Sequence, residues 1–253
     1  MDSTRTRTGL DANLLKLIAI LAMTADHIAW LLFPGYPKEA LPLILHIIGR
    51  ITCPIMCFFI AEGFHYTRNV RKYTLRLLVF AVVSHFAYMF AAESFVDWRS
   101  FVPFLTGSAL NQTSVMWSLL GGLVLLRVNA RTDLSATKKF LAVIAVCLIT
   151  FPADWSCIAA MCVLVIGSNR GQPKKQIIWC FFFVSLYVLV YCLALDVTYG
   201  LVQYATILAI PLLCLYNGKR GKNPTINRCM KWLFYIYYPL HLTIIGIIKL
   251  FLR

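Results

Sequence analysis

Long apolar runs alternate with short polar segments along the whole chain. The first run, Leu14 to Phe33, is long enough to cross a bilayer as a helix, which takes about 20 residues. None of the runs has the ten-residue alternation of an outer-membrane β-barrel. The pattern predicts an all-α polytopic transmembrane bundle, one domain over residues 1–253. It favours nine spans, at about 14–33, 41–63, 74–92, 113–128, 139–151, 155–168, 176–195, 200–216 and 232–251.

Prolines and polar residues interrupt this pattern at particular points. Pro54 lies inside the second span and predicts a kink or local unwinding near Cys53. The stretch 93–112 reads as a longer loop. Residues 151–154 are so short a connection that the fifth and sixth spans should form a tight hairpin. No small-x-small cleavage site follows the first span, so we expect it to stay in the membrane as an anchor.

Composition and charge agree with a membrane protein. Hydrophobic residues make up 60% of the chain and charged residues only 13%, about half the share usual in soluble proteins. The net charge of +14 does not indicate nucleic-acid binding, because Lys and Arg fall in short clusters between apolar runs. This pattern predicts an inner or plasma membrane protein with its N-terminus, including Arg5 and Arg7, in the cytoplasm and its C-terminus outside. Apart from Arg50, which lies within a span, the Lys and Arg outside the cytoplasmic side are then Lys38, Arg99, Lys249 and Arg253.

The nine cysteines do not indicate a metal site or a disulfide framework. Most lie within apolar runs, and none has zinc-site spacing with nearby histidines. Cys53 and Cys57 share a helix face, where packing is the simpler interpretation. We therefore expect no metal.

Ionisable residues in the first span are the main functional signal. Such groups cost roughly 2.5–3.5 kcal/mol at the centre of a membrane helix and are usually functional. This span carries Lys16 near its start and Asp26-His27 in its second half. Lys16 and His27 are eleven positions apart, which is three turns plus about 20°. They therefore share one helix face, about 16 Å apart along the axis.

Further ionisable residues fall at related depths in other spans. Asp26, His27, Arg50 and His241 could share one layer near mid-membrane. Buried charges need partners, and Asp26 with Arg50 is the predicted pair. Histidine titrates near neutral pH, so His27 is the best candidate for a general base.

Simpler roles remain open for several of these residues. Lys16 could be a flanking residue that extends to the membrane surface, and Arg50 could be a structural clamp between helices. In two pairs of residues, the members lie one helical turn apart and could form a hydrogen bond or ion pair with each other. These pairs are His46 with Arg50 and Glu62 with His65.

Several segments, taken in order along nearly the whole chain, resemble motifs of the TraX family of membrane proteins. They are Leu15–Ala19, Met23–Ile28, Ile48–Ile55, Phe59–Phe64, Thr67–Tyr73 and Phe234–Leu242. The family's named member acetylates the N-terminus of a conjugative pilin subunit. The wider transmembrane acyltransferases carry an Arg and a His, with ten residues between them, in an early helix. Lys16 and His27 keep that spacing, with Lys in place of Arg, which keeps the charge but loses the bidentate fork.

The resemblance implies a membrane acyltransferase that uses acetyl-CoA from the cytoplasm. Its acceptor would be an amine or hydroxyl of a protein or glycan, such as a pilin N-terminus. In this hypothesis His27 is the base, Asp26 and Glu62 orient groups around it, and Arg50 stabilises negative charge. The expected phosphate contacts are Lys16, Arg68, Arg71 and Lys72, and the expected acceptor route is lined by His46 and His241.

Two other functions use the same residues. A proton-coupled transporter could use the intramembrane Asp, His and Arg as a relay, although the sequence lacks the repeated halves common in transporters. A non-catalytic assembly factor of a conjugation or secretion apparatus would need these residues only for folding.

Overall fold

The computed structural model describes residues 9–35, 37–92, 102 and 111–252. Helices joined by short turns and loops make up this described part, which contains no strands. The N-terminal segment with Arg5 and Arg7, and most of the predicted loop 93–112, lie outside the described residues. A 3₁₀ segment covers Gln203–Leu208. The helices are α1 (Ala12–Leu32), α2 (Ala40–Gly49), α3 (Thr52–Tyr66), α4 (Val70–Ala91), α5 (Val115–Asn129), α6 (Ala136–Thr150), α7 (Ser156–Ser168), α8 (Pro173–Ala194), α9 (Val197–Val202), α10 (Ala209–Cys214) and α11 (Pro224–Phe251).

Several helices begin where a polar side chain can satisfy their free N–H groups. In each case the side-chain oxygen accepts a hydrogen bond from a backbone N–H in the first turn. The residues that cap α1, α4, α6, α9 and α11 in this way are Asp11, Asn69, Ser135, Asp196 and Asn223.

The predicted membrane bundle is confirmed. In the described part of the chain, six helical runs are long and apolar enough to cross a membrane, and α5 and α7 are shorter apolar helices. Together with α6, a helix or helical run occupies each of the nine predicted spans, so the predicted number is roughly consistent with the structure.

The second predicted span is interrupted, as Pro54 suggested, but a few residues earlier. Helix α2 ends at Gly49, Arg50 and Ile51 form the break, and α3 begins at Thr52. Pro54 lies in the first turn of α3, where a missing N–H is tolerated. The break therefore falls at the intramembrane arginine rather than at the proline.

The helix ends that carry the basic clusters meet at one end of the bundle, which we call the basic end. Leu10, before α1, pairs with Tyr216, after α10. Asn13 in α1 donates a hydrogen bond of 2.7 Å to Asn227 in α11. The ends of α5 and α7 also meet there.

Other contacts define the opposite end. Lys249 in α11 donates to the carbonyl of Ala91 at the end of α4 (3.0 Å), and Tyr199 in α9 donates to the carbonyl of Pro37 before α2 (2.9 Å). The chain thus passes from one end to the other once per predicted span. Which end faces the cytoplasm stays a prediction from the charge distribution.

The burial pattern is that of a protein surrounded by lipid. Large apolar side chains point outward, including Ile178 (65% exposed) and Leu193 (79%). Small polar residues such as Ser84 and Ser118 are completely buried. Small and polar side chains between helices allow close packing and interhelical hydrogen bonds, as expected in membranes.

The first and last helices run parallel and contact each other in register. Besides the Asn13 contact, Thr24 meets Tyr237 and His27 meets His241, always 213 or 214 positions apart. This register brings the second half of α1, with its ionisable residues, against the middle of α11.

Helix α2 packs tightly against α1 at Gly49. A Cβ atom at this position would overlap the Cβ and carboxyl atoms of Asp26. Glycine is therefore required by packing, and it lets the α2 backbone lie directly against the Asp26 side chain.

We expect Gly49→Ala to lower the thermal stability of the detergent-solubilised protein, because Asp26 must move away from its partners. The neighbouring variant Ile48→Ala is the control, since Ile48 is 41% exposed to the lipid-facing side. Thermal unfolding followed by static light scattering would compare the two. A Gly49→Ala protein as stable as Ile48→Ala would contradict the close packing.

Candidate active site

The predicted ion pair between Asp26 and Arg50 is present. Arg50 Nη2 contacts Asp26 Oδ1 at 2.6 Å and Oδ2 at 2.7 Å, so one amino group holds both carboxylate oxygens. Both side chains are mostly buried, with 18% and 14% exposed. Charge-assisted hydrogen bonds of this length are among the strongest in proteins. The arrangement keeps both groups charged within the bundle.

His46 is a second polar partner of Asp26. Its Nδ1 lies 2.7 Å from Asp26 Oδ1, whereas its backbone carbonyl accepts a hydrogen bond of 3.2 Å from Arg50 Nε. The simpler interpretation that His46 and Arg50 satisfy each other is therefore true only of the His46 backbone. The imidazole ring instead supports Asp26, and its predicted place on an acceptor route stays a prediction.

Arg50 also joins two more distant segments to the ion pair. Its Nη1 donates a hydrogen bond of 3.0 Å to the side chain of Gln203, at the start of the 3₁₀ segment. The guanidinium lies over the ring of Trp155 at 5.7 Å. Trp155 has a left-handed backbone (φ 62°), which is uncommon for a bulky residue and occurs preferentially at functional sites. The tight hairpin predicted at residues 151–154 thus ends against Arg50.

His27 contacts a second histidine. Its Nδ1 lies 2.5 Å from His241 Nε2, and the two rings meet edge to edge, with centroids 4.7 Å apart and an interplanar angle of 23°. His241 Nδ1 lies 2.7 Å from the carbonyl of Tyr237. The sequence places His241 in the same layer as His27, and the structure brings the two rings into direct contact.

A small polar chamber of about 30 Å³ adjoins these groups. It is large enough for a water molecule. The Tyr238 hydroxyl has no acceptor for its proton among the described residues, although Tyr238 is almost completely buried. The chamber is lined by Met23, Asp26, His27, Gly49, Arg50, Thr52, Cys53, Met56, Val115, Asp154, Trp155 and Tyr238.

A much larger cavity, of about 600 Å³, opens at the basic end, and we call it the basic cavity. Its volume is typical of a small-molecule site. Met56 lines both the basic cavity and the chamber, so a single side chain belongs to the walls of both. The charged residues that line the basic cavity are Lys16, Glu62, Arg68, Arg76, Arg220 and Lys231.

The predicted phosphate-binding residues divide into two groups. Lys16 and Arg68 line the basic cavity. Lys16 lies over the rings of Phe59 (5.2 Å) and Phe234 (5.7 Å), so it is more than a flanking residue that reaches the surface. Arg71 and Lys72 are exposed in the first turn of α4 and are not part of the cavity wall.

Glu62 lies at the basic end, away from the layer that holds His27. It accepts a hydrogen bond of 2.9 Å from Arg170, and His65 contacts the carbonyl of Gly167 at 3.0 Å. The interpretation that Glu62 and His65 satisfy each other is therefore wrong, because each has a partner on the segment that ends α7. A catalytic role for Glu62 stays a prediction.

Tyr216 lies between the basic end and the interior. Burial, together with the nearby Glu62 carboxylate, raises the pKa of Tyr216 to about 12. The phenol therefore stays neutral at the wall of the basic cavity, where it can donate a hydrogen bond without adding negative charge.

Several site residues were not foreseen. Arg76, Arg220 and Lys231 look like ordinary cytoplasmic loop charges in the sequence, and Gln203 has no distinguishing pattern around it. The sequence indicates only that Asp154 belongs to a short connection between spans, yet Asp154 lines the chamber. An acidic residue in a connection as short as 151–154 is the one signal that could have pointed to it.

Comparison with known proteins assigns the family. The model of the TraX protein family matches residues 11–249. This chain belongs to the TraX family. The match covers α1 to most of α11, and the residues of the ion pair and of the histidine pair all lie within it.

Two relatives show how far the similarity of this TraX-family chain extends. It is 31% identical over 250 residues to a protein of Dichelobacter nodosus named "Probable fimbrial assembly protein FimC, serogroup H1", covering 94% of this chain and 96% of that protein. It is 37% identical over 71 residues to an uncharacterized protein of Rickettsia prowazekii (strain Madrid E), covering 28% of this chain and 24% of that protein. No solved structure matches.

We expect Arg50→Gln to destabilise the protein by about 3–5 kcal/mol, because it leaves the Asp26 charge buried without its cation. Restoring charge balance with Asp26→Asn in the same protein should recover part of this loss. The exposed pair of Arg131 with Asp133 is the control, and Arg131→Gln should cause no measurable change. Unfolding in mixed micelles would measure all of these variants. Equal stability of Arg50→Gln and Arg131→Gln would contradict a structural ion pair.

Proposed function

We propose that the protein is a membrane-embedded acyltransferase that moves an acetyl group from cytoplasmic acetyl-CoA to an amine or hydroxyl acceptor. One observation carries the proposal: the basic cavity and the polar chamber share Met56 as a wall. A ligand with an anionic head and a long, narrow arm could bind its head at the basic end and extend its thioester towards His27.

The basic cavity has the chemistry that the head of CoA needs. Its cations would attract the phosphates, and aromatic rings such as Phe59 and Tyr235 offer surfaces for stacking. Arg76 Nε is buried and has no hydrogen-bond partner among the described residues. Since such a donor is costly to leave unpaired, a bound phosphate is a natural acceptor. Arg71 and Lys72, outside the wall, would contribute only long-range attraction.

The transfer step follows from the groups around the chamber. His27 would take the proton from the acceptor's amine or hydroxyl as that atom attacks the thioester carbonyl. The resulting oxyanion would be stabilised by the positive charge of Arg50, which the ion pair with Asp26 holds in place. The carbon–sulfur bond then breaks, and the CoA thiolate takes the proton from His27. Transient acetylation of His27 itself is the alternative route.

The proposed class of acceptor follows from membership of the TraX family. Pilin N-termini and surface glycans both offer the required nucleophile, and the Dichelobacter nodosus relative carries the name of a fimbrial assembly protein. The expected location is the inner membrane, with the basic end in the cytoplasm. Mass spectrometry of surface proteins and glycans, with and without this protein, would identify the acceptor by its missing acetyl group.

We expect His27→Ala to reduce transfer of labelled acetyl from acetyl-CoA by at least about 100-fold, since a general base contributes 10²–10⁴-fold. His85→Gln is the matched control, because His85 is another membrane histidine but bonds to Thr113, outside the site. The assay uses purified protein in proteoliposomes with candidate acceptors. Unchanged turnover in His27→Ala would end the proposed mechanism.

We expect the double variant Arg76→Gln/Arg220→Gln to raise the KM for acetyl-CoA by about 10-fold or more, because charge-assisted hydrogen bonds are worth about 1.5–3 kcal/mol. The matched control is Lys174→Gln/Lys175→Gln, which removes the same charge at the same end but outside the cavity wall. Equal KM values in both double variants would argue against a CoA site here. A lower kcat with unchanged KM would do so as well.

The name of the Dichelobacter nodosus relative also favours a second candidate, a non-catalytic assembly factor. If the protein is such a factor, the His27→Ala variant should support pilus assembly to the same extent as the original protein. Assembly assays with this variant therefore separate the two functions. Solute flux through proteoliposomes without acetyl transfer would instead favour a transporter.

A further inference from the structure

The contact between His27 and His241 determines where the protons of both rings are. A backbone carbonyl can only accept a hydrogen bond, so the 2.7 Å contact with Tyr237 O requires a proton on His241 Nδ1. In a neutral His241 ring, Nε2 is then unprotonated and accepts. The 2.5 Å contact with His27 therefore requires a proton on His27 Nδ1. In a neutral His27 ring, this leaves Nε2 with a free electron pair.

We propose that His241 is a positioning residue that fixes His27 in the tautomer with a proton on Nδ1 and Nε2 free to act as the base. The tautomer follows from the contacts alone, whereas its catalytic use rests on the proposed function. Within the described residues, His27 Nε2 has no hydrogen-bond partner, and the ring lines the chamber next to the basic cavity. The free nitrogen thus belongs to a residue that a ligand in the chamber could touch.

The ring of His241 is held from several sides, as a positioning role requires. It stacks on Tyr237 with centroids 5.0 Å apart and an interplanar angle of 11°. Thr24 donates its proton to the carbonyl of Ile20, so the 2.5 Å contact between Thr24 and Tyr237 must be donated by the tyrosine hydroxyl. This bond ties α11 to α1 one turn before the histidine pair.

The pair can also carry the charge that forms during transfer. When His27 Nε2 takes the acceptor's proton, His27 becomes an imidazolium whose Nδ1–H still donates to neutral His241. The extra positive charge is then shared through this hydrogen bond and lies next to the Asp26 carboxylate in the chain. When the proton goes to the CoA thiolate, both rings return to their starting tautomers. Over the cycle the pair takes one proton from the acceptor and gives one to the thiolate, so its net protonation is unchanged.

The first test reads the tautomer directly and does not depend on turnover. Solid-state NMR of the full-length protein with nitrogen-15-labelled histidine distinguishes protonated from unprotonated ring nitrogens. The His27 signals are assigned by their loss in His27→Asn. We expect His27 to have a protonated Nδ1 and an unprotonated Nε2 near neutral pH. A proton on Nε2 would overturn the proposal, whether or not the protein transfers acetyl groups.

The second test separates positioning from packing. Gln at position 241 can present a side-chain oxygen close to where His Nε2 accepts, whereas Leu cannot. We expect His241→Gln to keep kcat within about 10-fold of the original protein, and His241→Leu to lose about 100-fold in kcat with an unchanged KM for acetyl-CoA, as for lost support of a functional histidine. In the NMR spectrum, His241→Gln should keep the His27 tautomer and His241→Leu should lose it.

The other outcomes of these tests count against the proposal. Equal losses of kcat in the two variants would mean that position 241 acts only through packing. A change in KM alone would place His241 in ligand binding. If no variant, nor the original protein, transfers acetyl groups, the proposed function fails, while the NMR spectra still decide the tautomer.

Discussion

The structure is arranged around the buried ion pair between Asp26 and Arg50. Lipid offers a charge no partners, so each element near this pair must either supply a polar contact or leave room for one. The α2–α3 break presents Arg50, Gly49 leaves space for the carboxylate, and Gln203 and Trp155 contact the guanidinium. Irregular backbone occurs at membrane depth only where the protein can satisfy it. This explains why the helix break, the left-handed turn and the 3₁₀ segment converge on the same site.

The sequence predicted those features that depend on one segment or on one strong rule. Apolar runs predicted the spans, and the cost of isolated charges predicted that Asp26 pairs with Arg50. The sequence does not predict features that depend on how distant segments meet. The spacing of Glu62 and His65 on one helix allows them to pair, but Arg170, on another segment, is the partner of Glu62. Likewise, nothing local to Arg76 or Gln203 indicates the cavity or the ion pair that they join.

The basic cavity and the chamber lie at different depths of the bundle. The basic cavity belongs to one end of the bundle, and the chamber lies roughly two-thirds of the way along α1 from that end. Cations and aromatic rings line the basic cavity, whereas the Asp26–Arg50 ion pair and the imidazole of His27 line the chamber. The match to the TraX family model includes all the residues that line both cavities.

The separation of the partners along the chain has a consequence for biogenesis. Asp26 finds Arg50 only 24 residues later, so this charge can be neutralised as soon as the second hydrophobic segment leaves the ribosome. His27 must wait for His241, which is synthesised 191 residues after Arg50. At about 5–20 residues per second, the full 214-residue separation corresponds to roughly 10–40 s of translation. The buried Asp26 charge can therefore be neutralised early, whereas the histidine pair can form only when synthesis is nearly complete.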